Sequence, residues 1–116
     1  MRLHVNNVLD SIAPLIPLPP MHRLRCGVIY TNAFATYLAG LAHGPQQVLA
    51  LEYLRASSGP SKGSAWWRME WWPVHRAPED CMFKIGNVPV VLSRQSQRGL
   101  KNRCLDWRDG QVAVLS

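Results

Sequence analysis

Two long apolar runs, QQVLALEYLRA at residues 46–56 and AWWRMEWW at residues 65–72, stand on either side of a loop built from Ser, Gly, Lys and one Pro. In the first run Leu49, Leu51 and Tyr53 fall on one face and Glu52 on the other. In the second, Trp67, Met69 and Trp71 alternate with Trp66, Arg68, Glu70 and Trp72. A period of two is that of a strand, whose successive side chains point to opposite faces. The runs are therefore expected to be paired strands joined by a loop from Ala56 to Ser64. One face of each fills a core, and Trp66 and Trp72 flank the charges of Arg68 and Glu70 on a surface.

The other segments are punctuated by turn and cap residues. GVIYT (27–31) reads as a short strand. It leads into TNAFATYLAGLAHGP, where Thr31 or Asn32 can cap a helix with Phe34, Tyr37, Leu38 and Leu41 on one stripe, His43 in its last turn, Gly44 past its end and Pro45 as a stop. Pro73 ends the tryptophan run, and PVHRAPED is loop. CMFKI and VPVVLS are joined by Gly86-Asn87, and RCLDW and QVAVL by Asp109-Gly110, both two-residue hairpin signals. Between the hairpins, SRQSQRGLK is a short polar helix capped by Ser93. The expected order, β-α-β-β-β-β-α-β-β, is an α+β domain: a mixed, mostly antiparallel sheet with two helices.

Residues 1–25 differ from the rest. Prolines 14, 17, 19 and 20 interrupt the one apolar stretch, there is no sustained periodicity, and Asp10 is the single acid against Arg2, Arg23 and Arg25. This is expected to be an extended N-terminal arm preceding a domain over 26–116, lying against a partner or folded back on its own domain. The broken apolar stretch implies no secretory or membrane-spanning segment. Being acid-poor and arginine-bearing, the arm points to a mitochondrial protein, with the cytoplasm as the alternative. With 116 residues the chain can bury a modest core without disulfides. Its three cysteines, Cys26, Cys81 and Cys104, share no C-x-x-C spacing and read as free, small buried hydrophobes.

The stretch APEDCMFKIGNVPVVLSRQSQRGLKNRCLDW resembles the central segment of the A-type iron–sulfur carriers, the HesB-like family, in its acidic lead-in, strand, glycine turn, V-x-V-V strand, short helix and L-D-W strand. Upstream, Leu54-Arg55 followed by Ser58-Gly59-Pro60-Ser61 and a strand through Met69-Glu70-Trp71 is similar to the family's ligand loop and following strand. The resemblance runs over roughly residues 27 to 115. It implies a HesB-like fold, and it places a cluster-ligating cysteine where this chain has Pro60. The family's two remaining ligands lie in a C-terminal C-x-C tail that residues up to Ser116 do not contain. Thiolates hold such clusters, so the resemblance implies a degenerate member that has lost its ligands and binds no cofactor.

Other chemistry is weakly signalled. His4, His22, His43 and His75 lack metal-ligand spacing. Glu79 and Asp80 are adjacent and point apart if extended. The serines of the loop lack a nucleophile elbow, and G-P-S-K-G-S lacks the spacing of a phosphate-binding loop, although Lys62 could meet a phosphate. No catalytic or metal residue is expected.

Two interaction features remain. Arg94, Arg98 and Lys101 fall at i, i+4 and i+7, which aligns three positive charges if the helix continues past Gly99. Five tryptophans exceed what a small core hides, and Trp66, Arg68 and Trp72 have the composition of an interface hot spot. A formal net charge of +6 attracts phosphate, anionic lipid or an acidic protein face without distinguishing among them. The expectation is a non-catalytic structural or binding subunit of a larger protein assembly, with homo-oligomerisation open. The alternatives are an iron–sulfur carrier whose cluster is held by Cys26, Cys81 or Cys104 across a homodimer, and an RNA-bound component of a ribosome-like particle.

Overall fold

A computed structural model describes residues 20–41, 43–55, 59–60 and 65–115. In chain order these form β1 (Met21–Arg23), β2 (Ile29–Thr31), α1 (Asn32–Ala39), β3 (Gln47–Arg55) and β4 (Ala65–Pro73). Two 3-10 turns (Val74–Arg76 and Glu79–Cys81) follow, then β5 (Met82–Ile85), β6 (Val88–Leu92), α2 (Arg94–Leu100), β7 (Cys104–Arg108) and β8 (Gln111–Leu115). The class is α+β, with two helices and two mixed, mostly antiparallel four-stranded sheets ordered β1-β2-β7-β8 and β4-β3-β6-β5. The parallel neighbours are β2–β7 and β3–β6.

The two long runs pair antiparallel from Gln47–Pro73 to Arg55–Ala65, with Leu49 opposite Trp71, Leu51 opposite Met69 and Tyr53 opposite Trp67. These side chains face the main core, where Val28, Phe34, Leu38, Ile85, Val90, Leu92, Leu100 and Leu105 are fully enclosed. Both short hairpins turn as their residues require. Gly86 takes a positive φ of 62°, and Asp109 and Gly110 take 53° and 74°, which suits a two-residue turn between twisted strands.

Residues 1–19 of the expected arm lie outside the described residues. At its inner end the chain folds back on its own domain: Met21–Arg23, with exposed side chains, forms an edge strand antiparallel to β2, and Leu24 beyond it is buried. The first helix is shorter than its apolar stripe. It starts at Thr31, whose hydroxyl accepts from the Phe34 N–H, but ends at Gly40, whose N–H is shared by the Thr36 and Tyr37 carbonyls. His43 is thereby freed from the helix and stacks on Trp71, with ring centroids 4.5 Å apart.

One polar contact ties the first helix to the sheet beside it. The Thr31 hydroxyl, while accepting from Phe34, donates to Asp106 Oδ1 at 2.6 Å; the Trp107 N–H donates to the same oxygen at 2.9 Å, and Arg108 Nε donates to Oδ2. Tyr37 of α1 lies flat on Trp107, 3.7 Å between centroids. A second such contact sets α2. Pairing of β3 with β6 stops at Leu51–Leu92, and the Tyr53 N–H beyond it is met by the buried Ser96 hydroxyl at 3.0 Å. A serine inside a helix that reads as polar thus finishes a strand, since a buried N–H must find a partner. Gly99, one turn on, leaves room for the Tyr53 ring: a Cβ there would stand 3.1 Å from Tyr53 Cδ2.

Candidate functional site: a basic cleft beside the second helix

Helix α2 runs from its Ser93 cap, whose hydroxyl accepts from the Ser96 N–H at 3.2 Å, to Leu100. Its buried side, Ser96 and Leu100, faces the core, so Arg94, Gln97 and Arg98 turn outwards. The expected continuation to Lys101 does not occur, because Lys101 leaves the helix with φ −57° and ψ 130°. The lysine nevertheless joins the row. Arg94, Gln97, Arg98 and Lys101, with Cys26 from the turn before β2, line one open cleft of about 200 Å³. The chain crosses close by, and a Cβ on Gly27 (φ 96°) would meet Lys101 Cγ at 3.0 Å. Arg23 is pinned beside it by bonds from Nη1 to the Gly27 carbonyl and Asn102 Oδ1, at 3.3 and 3.0 Å.

The charges are not equivalent. Arg94 is paired with Asp80 and has its side chain 66% exposed, so water screens that pair. Arg98 and Lys101 have no carboxylate partner among the described residues. Two cations without a carboxylate partner among the described residues, an amide and a half-buried thiol form a concave surface suited to a carboxylate or phosphate oxygen.

A second cationic group lies at the end of β3. Arg55 Nη2 and Arg103 Nη1 both donate to the Tyr53 hydroxyl, at 3.1 and 2.9 Å. Burial opposes ionisation of this phenol, but the two donors and their charges outweigh it and hold its pKa below the ordinary tyrosine value. Two guanidiniums are thus organised on one oxygen beside the loop that follows Arg55.

Of that loop, Gly59 and Pro60 are described and exposed. Lys62 and the loop serines fall outside the described residues. Pro60, the position where the family resemblance expects a ligand, has no sulfur to offer. The cysteines lie apart. Cys26 lines the cleft, Cys81 sits under the outer face of the β3–β4 sheet with Val48 and Val91, and Cys104 packs with Ala113 and Leu115 on the other sheet. The expectation of three buried cysteines is corrected at Cys26, which is partly exposed. Cys81, expected to begin a strand, ends a 3-10 turn. Burial, with the charge of Asp106 adding to it, pushes the Cys104 thiol above its usual pKa. Alkylation of the native protein is therefore expected to label Cys26 at least about tenfold faster than Cys104, since the thiolate is the reactive form. Peptide mass spectrometry after timed quenching measures this.

The tryptophan strand presents its residues unequally. Trp66 is 48% exposed. Arg68 pairs with Glu52 across the strands at 2.7 Å, and Trp72 Nε1 donates to Glu70 Oε1 at 2.8 Å. Trp72, expected on an open surface with Trp66, is instead half-covered by the cluster of Val48, Cys81 and Val91, because the turns after Pro73 fold over that end of the sheet. Trp107, the fifth tryptophan, is covered by Tyr37. Gln97 and Cys26 were not singled out by sequence spacing. Gln97 sits between two arginines, a visible signal, whereas Cys26 reaches the cleft only through the turn at Gly27.

Among the described residues no group of His, Cys, Asp and Glu is placed to hold a metal ion, and no helix is long and apolar enough to cross a membrane. Comparison with protein-family models, with curated proteins and with solved structures gives no match.

Proposed function

We propose that this chain is a non-catalytic binding subunit of a larger protein assembly, docking an acidic face of a partner protein in the cleft beside α2. The observation that carries this reading is the convergence of Arg98 and Lys101, without carboxylate partners among the described residues, on one concave surface with Arg94 and Gln97. Charges of one sign in a concavity attract a complementary partner and orient its approach. The scaffold is proposed to be a degenerate relative of the A-type iron–sulfur carriers. The succession of strands and helices along residues 27–115 is compatible with that resemblance, and Pro60 stands where its first ligand would be. The acid-poor, arginine-bearing arm favours a mitochondrial setting.

The test is purification of the tagged full chain under native conditions from the cells that make it, with identification of co-purifying chains by mass spectrometry. The Arg98→Glu/Lys101→Glu double variant is run in parallel. A defined set of protein chains should accompany the wild type and fall by about tenfold or more with the variant, since reversing charges that face an acidic surface turns attraction into repulsion. The reading is overturned if the double variant recovers the same set undiminished. Loss of the set on nuclease treatment would make the protein RNA-bound, and visible cysteine-to-iron charge-transfer bands in the anaerobically purified chain would make it a cluster carrier.

A further inference from the structure

Strand β4 is the outer strand of its sheet and, among the described residues, pairs only with β3. Which of its backbone groups face outwards follows from that pairing. The Val74 N–H donates to the Gln46 carbonyl at 2.9 Å, just beyond the Gln47–Pro73 pair. Antiparallel ladders alternate bonded and non-bonded pairs. Hence Val48–Trp72, Ala50–Glu70, Glu52–Arg68 and Leu54–Trp66 are the bonded pairs within the sheet. Trp67, Met69 and Trp71 turn their N–H and C=O groups to the open edge. A long, aromatic edge that has no second partner among the described residues is a template for another strand.

The order of residues on this edge is its own complement. Outwards from Met69 come Arg68 and Glu70, then Trp67 and Trp71, then Trp66 and Trp72. An antiparallel pairing about a two-fold axis at Met69 sets Arg68 opposite Glu70 of the partner subunit. It sets Trp67 opposite Trp71 of the partner subunit and Trp66 opposite Trp72 of the partner subunit. Each opposing pair lies on the same face, since residues two apart share a face. The outward-pointing groups of Trp67, Met69 and Trp71 become the bonded pairs. The Arg68–Glu70 contacts fall at non-bonded positions, where opposing Cα atoms are about 4.5 Å apart and side chains are closest. On its own sheet Arg68 already holds Glu52, so the row runs acid, base, acid across the junction. Moving the axis to Arg68 or to Glu70 would oppose like charges, which selects Met69 as the centre.

We propose that two copies of the chain associate through β4, joining their four-stranded sheets into one continuous sheet about a two-fold axis at Met69. The partner is a second copy because this edge supplies both halves of its own charge and aromatic complement, as an isologous interface requires. The contact is separate from the cleft beside α2 and stands whether or not that cleft binds a protein.

Sedimentation equilibrium of the full chain over a concentration series tests it, with circular dichroism as the control for folding. The wild type should be a dimer. Arg68→Glu alone and Glu70→Arg alone should each weaken self-association by at least about tenfold, because like charges then face each other twice per dimer. An equimolar mixture of the two variants should restore association as a heterodimer, since the carboxylates of one face the guanidiniums of the other. Met69→Pro supplies a charge-independent check: its N–H faces outwards, so the change removes no bond to β3 but blocks strand addition, and a monomer is expected. A wild type that stays monomeric throughout overturns the proposal, as does a dimer indifferent to all three substitutions or a mixture that fails to associate.

Discussion

Replacing Asp106 with alanine is expected to lower the stability of the fold by about 3 kcal/mol, the scale for breaking a buried ion pair by removing one partner. Asp106 is 5% exposed, and its carboxylate accepts from the Thr31 hydroxyl, the Trp107 N–H and Arg108. Its loss leaves the Arg108 guanidinium, on a side chain only 18% exposed, without its acid. It also leaves the hydroxyl that caps α1 without its acceptor, so helix and sheet loosen together. The effect depends on pH in a definite direction. Burial disfavours the charged form, but the hydrogen bonds from Thr31, Arg108 and Trp107 and the charge of Arg108 prevail and hold the pKa below the ordinary aspartate value. The folded state therefore binds this proton less tightly than the unfolded chain. The stabilisation is fully present above the unfolded pKa of about 4 and fades as pH falls through the lower folded value. Urea titrations of wild type and Asp106→Ala should show the gap between them wide at neutral pH and closing in acid. A gap that persists unchanged into strong acid would mean that the carboxylate's charge contributes nothing.

Truncating Leu100 to alanine should cost about as much, roughly 3 kcal/mol, because a fully buried leucine gives up both its transfer free energy and the space it filled. Leu100 is the last residue of α2 and has no exposed surface. Arg98 and Lys101, on either side of it, depend on this anchor for their place in the cleft. The local consequence is readable separately from the global one. The Tyr53 N–H relies on Ser96 of the same helix for its acceptor, so when α2 loosens this amide should exchange with solvent faster than amides at the centre of β3. Urea unfolding gives the first number and amide hydrogen exchange the second. Uniform acceleration across β3 would show that the helix and sheet open only as one unit.

Much of the architecture is legible in the sequence. Period-two alternation identified β3 and β4, and Gly86-Asn87 and Asp109-Gly110 marked two hairpins, because strand faces and positive-φ turns depend on residues adjacent in sequence. The Ser93 cap is visible for the same reason, whereas the first helix offers both Thr31 and Asn32 and only the bond from the Phe34 N–H selects Thr31. The apolar stripe runs on through Leu41 to His43 although α1 ends at Ala39, since a stripe shows which residues can be buried and not where the chain leaves the helix. Three residues such as Met21–Arg23 carry no periodicity of their own; only β2 alongside makes them a strand.

The candidate site divides along the same line. Arg94 and Arg98 share a helix face by spacing alone, and the self-complementary order around Met69 stands in the sequence, as does the presence of a proline at position 60. Tertiary structure alone brought Lys101 and Cys26 to the cleft, put Tyr53 between two arginines, and left β4 at an edge with Trp67, Met69 and Trp71 directing their backbone outwards. Local order is set by dihedral preference and side-chain period, which neighbours along the chain specify. Convergence of distant residues depends on which sheet face is buried and which strand comes last, and that is decided only when the whole core closes.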